Sequence, residues 1–127
     1  MTDSPADTRP ARIATRIEGR IGWLEVDNPA RKNAITLAMW QAIPQAVAEL
    51  AAAPGVRVIV LRGAGEETFI AGADISEFAT LRKDAASARA YEASNAAAFD
   101  ALRHAPLPTL AMIRGFCLGG GFGLAAA

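Results

Sequence analysis

Val56-Arg57-Val58-Ile59-Val60-Leu61 is an apolar, β-branched run, too short for a helix and bounded by Pro54-Gly55 and by Gly63. Such a run is predicted to be a strand covered on both faces, and strands of that kind pair in parallel because crossover helices lie on either side of the sheet. Thr109 to Ile113 is a second run of the same type. Each is preceded by a helical segment. Thr36 is a candidate N-cap for a helix that keeps Trp40, Ile43, Val47 and Leu50 on one face, and Ala85 to Leu102 is Ala-rich with good helical composition. Pro44 interrupts the first helix, removing the donor to the residue-40 carbonyl at a cost of about 3 kcal/mol. Strand, helix, strand, helix in parallel pairing gives an α/β fold with right-handed crossovers.

Around this frame, residues 1–10 are polar, carry Pro5 and Pro10, and read as a disordered leader, so that residues 11–127 form the core. Arg12 to Ile17 and Arg20 to Val26 alternate polar and apolar residues across Glu18-Gly19, the pattern of a β-hairpin. Asn28-Pro29 ends it, and Ala30 to Asn33 is a polar loop. Gly63 to Ala73 reads as a loop leading to Asp74, an N-cap for the short segment Ile75 to Phe78. Gly115 to Gly123 reads as a glycine-rich turn opening into Leu124 to Ala127. An apolar helix left without cap or cover at Ala127 is the expected mark of a truncated sequence.

The 127 residues suit a single domain. Thirteen Lys plus Arg balance thirteen Asp plus Glu, which removes the basic footprint of a nucleic-acid binder. One cysteine, Cys117, and one histidine, His104, allow neither an internal disulfide nor a zinc cluster, so no metal is expected. No window reaches the ~18 apolar residues of a membrane span. The N-terminus, with Asp3 and Asp7, fits neither a secretory signal nor a transit peptide. A cytoplasmic setting is the expectation.

Nucleotide motifs fail on detail. Gly121-Phe-Gly123-Leu-Ala-Ala126 has the G-x-G-x-x-A form, but it stands well beyond Ile113, the last apolar residue of its strand. Gly63-Ala-Gly65 has Thr68 where a third glycine belongs, and no Gly-Lys-Ser/Thr makes a P-loop. Two loops remain, Phe69-Ile-Ala-Gly-Ala-Asp-Ile75 and Gly115-Phe-Cys-Leu-Gly-Gly-Gly121. In each, small residues uncover backbone N–H groups at a helix entrance, where an anionic oxygen is favoured. One donor from each would form a two-amide oxyanion hole. Taken singly, either loop is equally a tight turn packed closely through its glycines. Glu66, Glu67 and Glu77 read as surface charges and His104 as a helix-end cation.

Together with Asn28-Pro-Ala-Arg-Lys-Asn-Ala-Ile35 and Val58-Ile-Val-Leu-Arg-Gly63, in this order and spacing, the two loops resemble the crotonase (enoyl-CoA hydratase/isomerase) superfamily from about Arg12 to Ala127. The resemblance implies the N-terminal half of a crotonase-like β/α spiral that binds acyl-CoA thioesters. It implies that the backbone amides of Ala73 and Gly120 stabilise a thioester enolate. It places coenzyme A, as part of the substrate rather than as a separate cofactor, near Arg31, Lys32, Ala71, Gly72, Asp74 and Ile75, with Arg31 or Lys32 meeting a phosphate. It also implies a homotrimer or dimer of trimers. One departure matters: hydratases of this family carry a glutamate two residues after the glycine triplet, where this chain has Gly123, and the second family glutamate falls beyond Ala127. A hydratase-type enzyme is the leading expectation. A single-base enoyl-CoA isomerase, another CoA-thioester lyase or hydrolase, and a non-catalytic acyl-CoA-binding subunit are the alternatives. The protease branch of the fold needs a nucleophile, and Ser76, the only serine near the loops, has no Lys or His partner in sight.

Overall fold

The computed structural model describes residues 10–127; apart from an exposed Pro10, the leader expected at residues 1–10 lies outside the described residues. β1 (Arg12–Glu18) and β2 (Ile21–Asp27) form an antiparallel hairpin in which Glu18 pairs with Ile21. Its turn residues are therefore Gly19 and Arg20, one position beyond the expected Glu18-Gly19, and Gly19 takes the positive φ of 61° that a two-residue hairpin turn demands. A short 3-10 helix (Pro29–Arg31) follows, then α1 (Leu37–Ala52). Thr36 caps α1 as expected, its hydroxyl accepting the Met39 N–H at 3.2 Å. Pro44 lies inside α1, where burial of Met39, Trp40, Ile43, Ala46, Val47 and Leu50 offsets the lost hydrogen bond.

β3 (Val58–Gly63) lies parallel between β2 and β5 (Thr109–Met112), and the sheet order is β1-β2-β3-β5. β3 starts two residues later than the Val56 expected, because the Val56 N–H is spent on the Ala53 carbonyl in the turn after α1. β5 stops at Met112 rather than Ile113. It was expected to be covered on both faces, yet Leu110 is 60% and Ile113 49% exposed: β5 is an edge strand whose outer side chains nothing covers among the described residues.

The segment from Gly63 to Ala73, expected as a loop, contains β4 (Thr68–Ile70). It pairs in parallel with β6 (Phe116–Cys117), itself inside the expected glycine-rich turn. Strands of three and two residues are too short to show alternation in a sequence. A 3-10 helix (Ile75–Glu77) runs into α2 (Phe78–Leu81), followed by α3 (Ala85–Arg103), and α4 (Gly120–Ala126) begins at Gly120 rather than Leu124. One core joins Leu24 and Val26 of β2, the buried face of α1, Ile59 and Leu61 of β3, Phe69 and Ile70 of β4, Tyr91, Ala98 and Leu102 of α3, and Leu124 of α4. No helix among the described residues is long and apolar enough to cross a membrane.

Candidate active site

β2, β3 and β5 run in parallel, so the segments that follow them leave the sheet along one edge. Asn33 ties the first two exits together. Its side chain accepts the Asn28 N–H at 3.0 Å and donates to the carbonyls of Ala64 at 3.0 Å and Thr68 at 2.9 Å. Asn28 in turn donates through Nδ2 to the Ala34 carbonyl at 2.8 Å. Lys32 and Asn33 both take positive φ, 53° and 59°, a conformation that asparagine tolerates better than most residues. In sequence this stretch is a polar loop with Arg31 and Lys32 as candidate phosphate contacts; in the structure Asn28 and Asn33, both buried, hold it together.

Ile35 fixes the orientation of the next strand-like segment. Its N–H donates to the Gly72 carbonyl at 2.8 Å and its carbonyl accepts the Asp74 N–H at 2.9 Å, forming a parallel bridge opposite Ala73. Backbone groups alternate sides along an extended segment, so the Ala73 N–H points away from Ile35. Gly120 lies close to this amide: a Cβ built on Gly120 would stand 3.8 Å from the Ala73 nitrogen. Gly120 opens α4, in the first turn, where N–H groups have no partner four residues back. Among the described residues neither amide donates to a protein acceptor. The two segments are also linked directly, by the Leu118 N–H to the Ile70 carbonyl at 3.1 Å.

Close approach explains the glycines of α4. A Cβ on Gly120 would come within 2.9 Å of Trp40 Cζ2, one on Gly121 within 2.7 Å of Ile70 Cβ and of the Ile70 carbonyl oxygen, and one on Gly123 within 2.8 Å of Phe99 Cζ. Trp40 and Phe99 meet edge to face, centroids 5.6 Å apart at 84°, and form the floor under α4. At position 123, therefore, an aromatic ring stands where a side chain would begin.

The other sequence-predicted residues are placed as follows. Ala71 is half-buried, and Gly72 is buried with φ +116°, so a side chain there would be strained. Asp74 is buried; its Oδ1 accepts both the N–H and the hydroxyl of Ser76, an N-cap as expected. Ile75 is 74% exposed beside it. Glu77, read as a surface charge, instead accepts the Leu37 N–H at 2.8 Å and so serves the first turn of α1. Arg31 and Lys32 are exposed, and Lys32 Nζ lies 5.9 Å from the centre of the Phe116 ring. Lys32 also lines an open groove of about 400 Å³ with Pro29, Asn33, Ala64, Glu66 and Thr68. Glu66 pairs with Arg114 at 3.6 Å, and His104 is the exposed C-cap of α3. The fold thus brings Ala71 to Asp74 against Leu118 to Gly120, with the Asn28–Asn33 loop joined on through Ile35.

Residues 16–127 match the family model described as enoyl-CoA hydratase/isomerase. The chain belongs to that family. It is similar to the crotonyl-CoA hydratase of Syntrophomonas wolfei, 32% identical over 108 residues, which are 85% of this chain and 41% of the relative. The fatty acid oxidation complex subunit alpha of Idiomarina loihiensis is 33% identical over 105 residues, 83% of this chain and 14% of its own length. Among solved structures, an enoyl-CoA hydratase/carnithine racemase from Magnetospirillum magneticum superposes with TM-score 0.85 at 42% identity, covering 89% of this chain and 42% of that one. An enoyl-CoA hydratase/isomerase family protein from Hyphomonas neptunium gives 0.86 at 40% identity, with 89% and 43% covered. The chain spans less than half the length of these relatives and corresponds to the N-terminal portion of the crotonase fold.

Proposed function

We propose that the protein acts on an acyl-CoA thioester whose carbonyl oxygen is received by the Ala73 and Gly120 amides. The observation that carries this reading is the close approach of two backbone donors from separate segments, neither with an acceptor among the described residues. Donors fixed by the backbone need no reorganisation as charge develops on the oxygen, so they favour the enolate-like state over the neutral thioester. Coenzyme A then extends along Ala71, Gly72, Asp74 and Ile75, and Arg31 or Lys32 meets a phosphate by a charge-assisted contact.

A second reading concerns the reaction. The backbone donors serve any thioester enolate, whereas two-carboxylate hydration requires a side chain that Gly123 lacks and that Phe99 obstructs. This favours single-base chemistry, such as enoyl-CoA isomerisation, over hydration.

The test is steady-state turnover of crotonyl-CoA and of a 3-enoyl-CoA by the full-length protein and by Gly120→Val and Ala73→Pro. The first variant obstructs one donor and the second deletes the other. Losing such a donor costs about 100-fold or more in turnover, while affinity for free CoA, which has no thioester, stays within about twofold of wild type. Wild-type turnover in both variants would overturn the oxyanion role.

A further inference from the structure

β1 closes one side of the larger sheet, and among the described residues no strand pairs with its far side. An open edge is a template for another strand, and folded proteins blunt it with proline, a bulge or repelling charges. β1 has neither proline nor bulge: its seven residues pair with β2 without a register shift, and the nearest proline is Pro10, upstream of the strand. Which groups the edge offers follows from the ladder. The carbonyls of Arg20 and Val26 accept the N–H groups of Arg57 and Ala64 on the β3 side, so even-numbered positions along β2 bond toward β3 and odd-numbered ones toward β1. The pairs of Arg12 with Asp27, Ala14 with Glu25, Arg16 with Trp23 and Glu18 with Ile21 then occupy the even positions of β1. Ile13, Thr15 and Ile17 direct their main-chain N–H and C=O groups to the open edge.

The side chains of these three residues share the face of the sheet on which α1 packs. Ile13 and Thr15 line an open groove of about 180 Å³ with Ala42, Gln45, Ala46 and Glu49 of α1, and Ile17, next along that face, is 52% exposed. A second copy of this chain matches the edge in one register. Antiparallel pairing centred on Thr15 sets Thr15 opposite Thr15 and Ile13 opposite Ile17, and each of these pairs exchanges two main-chain hydrogen bonds. On the other face it sets Arg12 opposite Glu18, at both ends of the paired strands, and Ala14 opposite Arg16. Moving the axis to position 14 sets Arg12 against Arg16, and moving it to 16 sets Arg16 against itself; like charges directly opposite are destabilising. Ile17, solvated in a single copy, then arrives beside Ile13 and its groove.

We propose that β1 is a two-fold interface, pairing antiparallel with β1 of a second copy about Thr15 and joining the two four-stranded sheets into one. Main-chain bonds supply the adhesion, and the Arg12 and Glu18 side chains fix the register. The interface uses none of the residues around the Ala73 and Gly120 amides and does not depend on the acyl-CoA reading.

The experiment measures the solution mass of the full-length protein by light scattering for wild type and Thr15→Pro, with thermal unfolding recorded alongside. Proline at 15 deletes an N–H that the bonds to β2 do not use, a position at which an edge strand tolerates it. The expected result is a mass half that of wild type in a variant that still unfolds cooperatively. Ala14→Cys, Thr15→Cys and Arg16→Cys, each treated with a mild oxidant, read the axis. Opposed Cα atoms at a hydrogen-bonded pair lie about 5.5 Å apart, within reach of a disulfide. Thr15→Cys is therefore expected to give a covalent dimer, while the other two, each out of line with its own counterpart, stay uncrosslinked, as does wild type with Cys117. A wild type of single-copy mass overturns the interface, and so do equal masses for wild type and a folded Thr15→Pro. A disulfide that forms at 14 or 16 in preference to 15 overturns the register and the proposal with it. Should Thr15→Pro fail to fold, Thr15→Cys decides alone, and crosslinking no faster than in wild type overturns the proposal.

Discussion

A methyl group added to Gly121 would strike both the side chain and the backbone of Ile70, whereas one added to Gly123 would meet only the far end of the Phe99 ring. Replacing a helical glycine with alanine gains about 1 kcal/mol of helix propensity, but overpacking costs about 1–3 kcal/mol where the neighbour cannot yield. Gly121→Ala is therefore expected to lower the melting temperature more than Gly123→Ala, since a strand backbone yields less than a ring tip. Thermal unfolding checks the order; equal or reversed losses would contradict the packing account of α4. A second residue gives a clean titration. Tyr91 is the single tyrosine, so the ultraviolet signal of phenolate formation reports on it alone. Its ionisation is raised above the ordinary value of 10.0, first by burial. Below that value the phenol is protonated in both folded and unfolded chains. As pH rises past it, the unfolded chain ionises first and stability falls. The expected outcome is a phenolate transition later than that of free tyrosine, and a weaker loss of stability at high pH in Tyr91→Phe.

Elements differ in how openly the sequence announces them. The hairpin follows from alternation, α1 from a helical face and its Thr36 cap, and α3 from an Ala-rich composition, all of which are local. Asp84 is such a local device: its carboxylate accepts the Ser87 N–H at 2.7 Å at the start of α3, and this bond, with others from the same turn, holds its pKa below 3.8. A lowered folded-state pKa means that the stabilisation is present above 3.8 and lost as pH falls through the lower folded value. Asp84→Ala is expected to lower the melting temperature at neutral pH and to flatten its acid-side dependence, measured by thermal unfolding from pH 7 to 3. By contrast, β4, β6 and the start of α4 were not legible. Thr68 to Ile70 becomes a strand only because Phe116 and Cys117 lie beside it, and Gly120 to Gly123 hides a helix because its residues were fitted to Trp40, Ile70 and Phe99, far away in sequence. The candidate site divides in the same way. Ala73 and Gly120 could be named from motif resemblance, but the bonds by which Asn33 ties its loop to Ala64 and Thr68 span more than thirty residues and leave no local mark.

At the scale of the molecule, parallel pairing of β2, β3 and β5 decides where chemistry can sit, because it delivers three chain segments to one edge of the sheet. Those segments are then joined by side chain and backbone: Asn33 spans from Asn28 to Ala64 and Thr68, and Ile35 grips Gly72 and Asp74. The asparagine knot also bears on how the chain withstands a protease. Arg31 and Lys32 are exposed and basic, which makes the peptide bonds after them natural targets for trypsin. A protease, however, threads its substrate as an extended strand, and these residues are held as the end of a 3-10 helix followed by two left-handed positions. Straightening them means first breaking the four hydrogen bonds made by the side chains of Asn28 and Asn33. Arg82 and Lys83, equally exposed in the short turn between α2 and α3, have no such restraint. Limited digestion should therefore nick the chain after residues 82 and 83 while sparing 31 and 32, and Asn33→Ala should bring the earlier pair into play; a first cut after Arg31 in the native chain would show that the knot opens freely.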